Sequence, residues 1–141
     1  MKRKSGIGRN RRIEMTFLEK VRQRCPDHPL ALEALGNLYS ECGMYEAGLQ
    51  ADLTLARLAP NSPWVWYNLA CDYALLRQRD EAFAALQKTV QRGYCDLAHL
   101  DQDGDLKQLR RDPRWRAVRE LIKLNIIHDI ARDMLEPPLA H

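Results

Sequence analysis

Residues 32–60 read LEALGNLYSECGMYEAGLQADLTLARLAP, and residues 66–94 read WYNLACDYALLRQRDEAFAALQKTVQRGY. Slid forward along the chain, the first stretch falls on the second. Leu35 then meets Leu69, Gly36 meets Ala70, Tyr39 meets Tyr73, Gly48 meets Ala82, Leu55 meets Thr89 and Pro60 meets Tyr94. Each stretch holds two helical apolar patterns split by a short polar turn. In the second, Trp66, Leu69, Ala70 and Tyr73 share one helix face, and Ala82, Phe83, Leu86 and Val90 form the stripe of the next helix. Small residues at 36, 48, 70 and 82 let paired backbones approach while the aromatic rings fill the gaps. Pro60 and Pro63 bracket Asn61-Ser62, which ends one helix and starts another.

A large residue, then Leu-Gly, Tyr, small, large aromatic, small and Pro, repeating every ~34 residues, resembles the tetratricopeptide repeat family. Trp66, Leu69, Ala70, Tyr73, Ala82 and Leu86 suit that pattern, as do Leu35, Gly36, Tyr39, Gly48 and Pro60. The chain departs from it at Gly93-Tyr94, at Leu55 and at Asp52, where the family has a large buried residue. The resemblance implies an all-α fold, a short right-handed solenoid of about seven helices. Full repeats are expected at about 29–62 and 63–96, with an irregular terminal repeat at 97–123. Residues 13–24, with Phe17, Leu18 and Val21 at helical spacing, read as the second helix of a partial repeat at the N-terminal end. Residues 124–141 extend a long C-terminal capping helix that starts near Pro113, with Asp112 as its start signal. Asp52 is expected either to have a hydrogen-bonded partner or to turn outward, because an unpaired buried carboxylate is costly.

Composition sets the outer bounds. The 141 residues are 45% hydrophobic, 29% charged and 7% aromatic, as in an ordinary globular domain. The apolar runs fall far short of the roughly 20 residues a membrane helix needs. A net charge of +3 conceals an asymmetry: +7 over residues 1–24, −7 over 25–105 and +3 over 106–141. Residues 1–12 are expected to be a disordered basic tail, carrying Lys2, Arg3, Lys4, Arg9, Arg11 and Arg12 without an acid. No apolar run follows them, so a secretory signal is not expected. Four cysteines without a CxxC pair then read as reduced thiols in a cytoplasmic protein.

The resemblance also implies a site. In this family the first helices of the repeats line a concave face that grips a protein segment. Here those positions hold Leu30, Glu33, Ala34, Asn37, Ser40 and Glu41, then Trp64, Tyr67, Asn68, Cys71, Ala74 and Leu75. The peptide-binding groove is therefore assigned to Glu33, Asn37, Glu41, Trp64, Tyr67, Asn68 and Cys71. Family members that hold a C-terminal carboxylate pair such asparagines with Lys or Arg. This chain has Glu33, Ala98 and Gln102 at the matching positions, so a carboxylate is not the expected ligand. Glu33, Glu41, Asp72 and Asp101 point instead to a neutral or basic segment.

The function expected is a non-enzymatic protein–protein interaction module. The alternative is nucleic-acid or ribosome association through Lys2, Arg3, Lys4, Arg9, Arg11 and Arg12. Self-association through the apolar C-terminal helix is a further partner reading. No cofactor and no metal are expected. Asp101-Gln102-Asp103-Gly104-Asp105 fails the calcium-loop spacing, with Leu106 where the loop glycine belongs. Cys25/His28 and Cys95/His99 lie two repeats apart, too far to share one zinc ion. No histidine stands in a nucleophile motif, and Cys71 reads as a small buried hydrophobe before it reads as a reactive thiol.

Overall fold

A computed structural model describes residues 8–136. Those residues form seven α-helices and one 3₁₀ helix, with no strand among them. The helices are α1 (Arg9–Arg24), α2 (Pro29–Glu41), α3 (Tyr45–Leu58), α4 (Pro63–Leu75), α5 (Arg79–Gln91), α6 (Leu97–Gln102), the 3₁₀ helix η1 (Gly104–Arg111) and α7 (Arg114–Leu135). The chain divides into two compact units, one ending at Pro60 and one beginning at Asn61.

The helix ends follow from local chemistry. Pro29 and Pro63 each stand in the first turn of a helix, where a missing N–H costs nothing. The His28 ring accepts from the Ala31 amide at 3.3 Å and caps α2. The ends of α2, α4 and α5 close with the same reversal. Met44 N–H donates to Tyr39 O at 2.8 Å, Gln78 N–H to Tyr73 O at 2.8 Å and Tyr94 N–H to Thr89 O at 3.3 Å. This reversal needs one left-handed residue. After α2 and α5 it is Gly43 and Gly93, at φ 73° and 91°. After α4 it is Arg77 at φ 61°, which holds the place in the second repeat that Gly43 holds in the first. The starts of α4 and α5, at Pro63 and Arg79, likewise match those of α2 and α3, at Pro29 and Tyr45, in the repeat alignment.

In the first unit α2 packs on α3, and α1 packs on α2. Met15, Leu35, Leu38 and Tyr39 form a core against which Leu18, Cys42 and Ala47 pack. The Tyr39 hydroxyl donates to Glu19 Oε1 at 2.6 Å and ties α2 to α1. Asp52 is buried on α3 rather than turned outward, and its carboxylate is partnered and sits against α2. Its Oδ1 lies only 2.7 Å from where a Cβ on residue 36 would stand. Gly36 is therefore the space that admits Asp52.

Two expectations about α1 are corrected. The helix begins at Arg9, so residues 9–12 are helical and not part of a disordered tail. Arginine is a good helix former, and the helix that Ile13 opens extends back one turn until Gly8. Lys2, Arg3 and Lys4 lie outside the described residues. Phe17, expected on the buried stripe, is exposed, and Met15 makes the buried contact instead.

In the second unit α4 packs on α5 and on η1, and α7 packs on α5, α6 and η1. Leu69, Leu86, Leu100, Leu106, Leu109 and Ile122 are fully buried there. Asp112 starts α7 by accepting from the Arg114 amide at 3.0 Å, and its two oxygens hold the Arg114 guanidinium at 3.1 and 2.8 Å. Asn125 anchors α7 by donating to Val90 O at 2.8 Å and Tyr94 O at 3.0 Å. Capping is limited to the first part of α7, where Trp115, Val118 and Ile122 are buried. Leu124, Ile127, Ile130 and Met134 are all exposed.

Candidate functional site

The candidate site residues fall in both units, and each set is described within its own. In the first unit Glu33, Asn37 and Glu41 recur at one-turn intervals along α2, and all three are exposed. Exposed Leu30 begins the same line. Glu41 is not a free acid, because Arg11 reaches its Oε2 at 3.4 Å.

In the second unit the site is built around a cluster of rings. Trp64 lies at the start of α4, one turn before Tyr67. Tyr94 follows α5, and His99 lies on α6. Tyr67 and Tyr94 stack with centroids 5.2 Å apart and planes 13° apart. Trp64 stands edge-on to Tyr67, Tyr94 and His99 at 5.7, 5.3 and 5.7 Å. Such edge-to-face pairs are attractive beyond their burial, so three of them fix the indole. Trp64 is nevertheless 49% exposed. The result is a large aromatic surface held in one orientation, with half-buried Asn68 one turn further along α4.

Asp103 holds the cluster from below. Its Oδ2 accepts from the Tyr67 hydroxyl at 2.6 Å and lies 3.8 Å from Cys71 Sγ and 3.7 Å from His99 Nε2. Its Oδ1 accepts from the Asp105 amide at 3.0 Å and starts η1. Its carbonyl accepts from Arg110 Nη2 at 2.7 Å. Burial and the bond to Asp103 push the Tyr67 hydroxyl far above its ordinary pKa. Burial, reinforced by the Asp103 and Asp105 charges, pushes the Cys71 thiol up as well. A nucleophilic thiol needs the opposite environment, electropositive and partly exposed. Cys71 is therefore held as a thiol that donates to Asp103.

Cys71, Asp103 and Asp105 bring three ligand atoms within 4.8 Å of one another. As a cation site they fit poorly. Asp103 has spent one oxygen on Tyr67 and the other on the Asp105 amide, and Cys71 would have to lose a proton that burial retains. The set works as a hydrogen-bond hub that joins α4 to the start of η1.

The expected groove is corrected at two positions. Tyr67 is only 2% exposed and Cys71 only 7%, so neither can meet a bound segment directly. The reason is later chain: Tyr94 stacks on Tyr67, and Asp103, just before η1, accepts from both Tyr67 and Cys71. The acidic character of the groove is also corrected. Asp72 is buried, Arg119 clamps Asp101 at 2.9 and 3.0 Å, and Arg11 neutralises Glu41. Of the four acids, Glu33 alone keeps an exposed carboxylate with no partner among the described residues. Sequence reasoning misses Tyr94, His99 and Asp103 as site residues. The repeat alignment leads from Trp64 and Asn68 to Ala98 and Gln102, whereas the side chains that arrive, His99 and Asp103, each stand one position later. Among the described residues, no helix is long and apolar enough to cross a membrane. No family model matches the chain, and no curated protein matches it either.

Proposed function

We propose that this chain is a non-enzymatic interaction module of the tetratricopeptide kind, and that its second unit receives an uncharged protein segment against Trp64. The exposure of Trp64 on a fixed ring cluster carries this reading. A rigid aromatic side chain offers contact area at little cost in conformational entropy, and such residues dominate binding energy at interfaces. The Asn68 amide beside it supplies hydrogen bonds to a peptide backbone. With Asp72 buried and Asp101 clamped by Arg119, neither acid that the repeat pattern places in this unit's groove selects a strongly basic segment.

The test is capture from host lysate by the full chain and by the Trp64→Ala/Asn68→Ala variant, after nuclease treatment. The reading predicts proteins that survive nuclease, are held by the wild type and are lost by the variant. An identical set on both proteins refutes it. Capture that disappears with nuclease refutes it in favour of nucleic-acid association through the basic residues near the N-terminus.

A further inference from the structure

The outer face of α1 joins apolar and basic side chains. At about 100° per residue, Arg9, Ile13, Phe17, Lys20 and Arg24 fall within about 80° of one another around the helix. All five are exposed. The opposite face is taken up by the protein itself: Met15 is buried, Leu18 packs against its cluster, and Glu19 accepts from the Tyr39 hydroxyl. That packing fixes which side α1 turns to solvent. Ile13 is 59% exposed and Phe17 64%, one turn apart. Single apolar residues scattered on a surface are ordinary. This pair is framed by charge: Arg9 lies one turn before it, Arg12 beside it, and Lys20 and Arg24 in the turns that follow.

The charge of the frame is not cancelled by the chain. Arg9, Arg12, Lys20 and Arg24 make no ion pair among the described residues. Arg11 and Arg22, on the far side of the helix, are engaged with Glu41 and Tyr39. Of the two acids on α1, Glu19 is held by Tyr39, and Glu14 lies about 60° beyond Phe17 around the helix. Lys2, Arg3 and Lys4 precede the helix in the sequence and carry charge of the same sign.

An acceptor for this face must offer anions around its rim and an apolar layer at its centre. A nucleic-acid backbone supplies only the first. Ile13 has no π face on which a base could stack, and Phe17 is the one aromatic ring on α1. An anionic lipid surface supplies both. Helices that lie in a membrane interface combine Lys and Arg with Phe and Leu, whose side chains reach the boundary between headgroups and acyl chains. The long stems of Lys and Arg let their charges stay at the phosphates while neighbouring apolar groups go deeper. Clusters of about four to eight cations on such a helix read as contacts for anionic headgroups.

We propose that the outer face of α1 docks the chain on a membrane surface that carries anionic lipid. Ile13 and Phe17 enter between the headgroups, and Arg9, Arg12, Lys20 and Arg24 lie against the headgroup anions. The contact is peripheral and involves side chains alone, because α2 holds the inner face of the helix.

Co-sedimentation of the full chain with lipid vesicles tests the proposal. The wild type is expected to bind vesicles of phosphatidylserine mixed with phosphatidylcholine and to leave phosphatidylcholine vesicles in solution. Ile13→Ser/Phe17→Ser is expected to weaken that binding by at least about tenfold by removing the inserted groups. Lys20→Glu/Arg24→Glu is expected to weaken it at least as far by reversing half of the frame. All four side chains are exposed, so both variants should fold, and each tests the face independently of the other. A wild type that ignores the anionic vesicles, or binds neutral ones as well, overturns the proposal. Anionic-vesicle binding that is indifferent to Ile13→Ser/Phe17→Ser also overturns it, since charge alone would then suffice. Binding to mixed-sequence RNA without binding to vesicles overturns it in favour of nucleic acid. Trp64→Ala/Asn68→Ala should bind vesicles as the wild type does, so failure here is separate from failure of the peptide-binding reading.

Discussion

Replacing Gly36 with Ala sets two effects of opposite sign against each other. Helix propensity favours Ala in a helix interior by about 1 kcal/mol. The new Cβ, however, would stand 2.7 Å from Asp52 Oδ1, 3.4 Å from its Cγ and 3.5 Å from Oδ2. Asp52 is only 6% exposed, so its carboxylate cannot swing into solvent without rearranging α3. Overpacking of this kind costs about 1–3 kcal/mol. Displacing a buried oxygen from its partner adds about 1–3 kcal/mol. The net expectation is a destabilisation of about 1–5 kcal/mol, read by urea unfolding of the full chain followed by circular dichroism. The control is the same substitution in an Asp52→Ala background. There the clash is absent, and Gly36→Ala should be neutral or stabilising by up to about 1 kcal/mol. The second repeat shows the alternative solution at the matching positions, with buried Ala70 and Leu86 in place of Gly36 and Asp52. If Gly36→Ala is as stable as the wild type, or if the cycle shows no coupling, then Asp52 does not depend on Gly36 and the argument fails.

Two further predictions test the local chemistry. Arg77→Gly should stabilise the chain by about 0.5–1 kcal/mol, because a left-handed non-glycine residue costs about 1–2 kcal/mol and glycine returns part of that as unfolded-chain entropy; a destabilised variant in thermal unfolding would contradict this. Asp112 is held down to about 2 by its bonds to Arg114. A carboxyl whose folded pKa lies below the unfolded value stabilises above the unfolded value and loses that contribution as pH falls through the folded one. Wild-type stability should therefore drop more steeply between about pH 4 and pH 2 than that of Asp112→Asn; parallel acid profiles for the two proteins would show that the Arg114 contact does not matter.

The helix pairs are legible in the sequence because apolar spacing, small residues and Pro or turn residues all agree at each boundary. The starts at Pro29 and Pro63 and the start signal at Asp112 come from residue types whose backbone role is nearly independent of context. The site is legible only in part. Trp64 and Asn68 stand out because they lie on the outward side of α4, but whether Tyr67 and Cys71 are reachable depends on Tyr94 and Asp103, which come much later in the chain. Asp103 reads in sequence as one acid in an acidic loop; its role comes from reaching Tyr67 across the fold. The fate of α7 is equally hidden, since an excess of apolar residues shows that something must cover a face without showing what.

The central claim is that Trp64 is the contact point for a protein segment. The most direct measurement is a ¹H–¹⁵N spectrum of the tryptophan indoles during titration with a captured partner. The claim predicts that the Trp64 indole signal shifts while that of buried Trp115 stays in place. Saturable binding that leaves the Trp64 signal unmoved would contradict it.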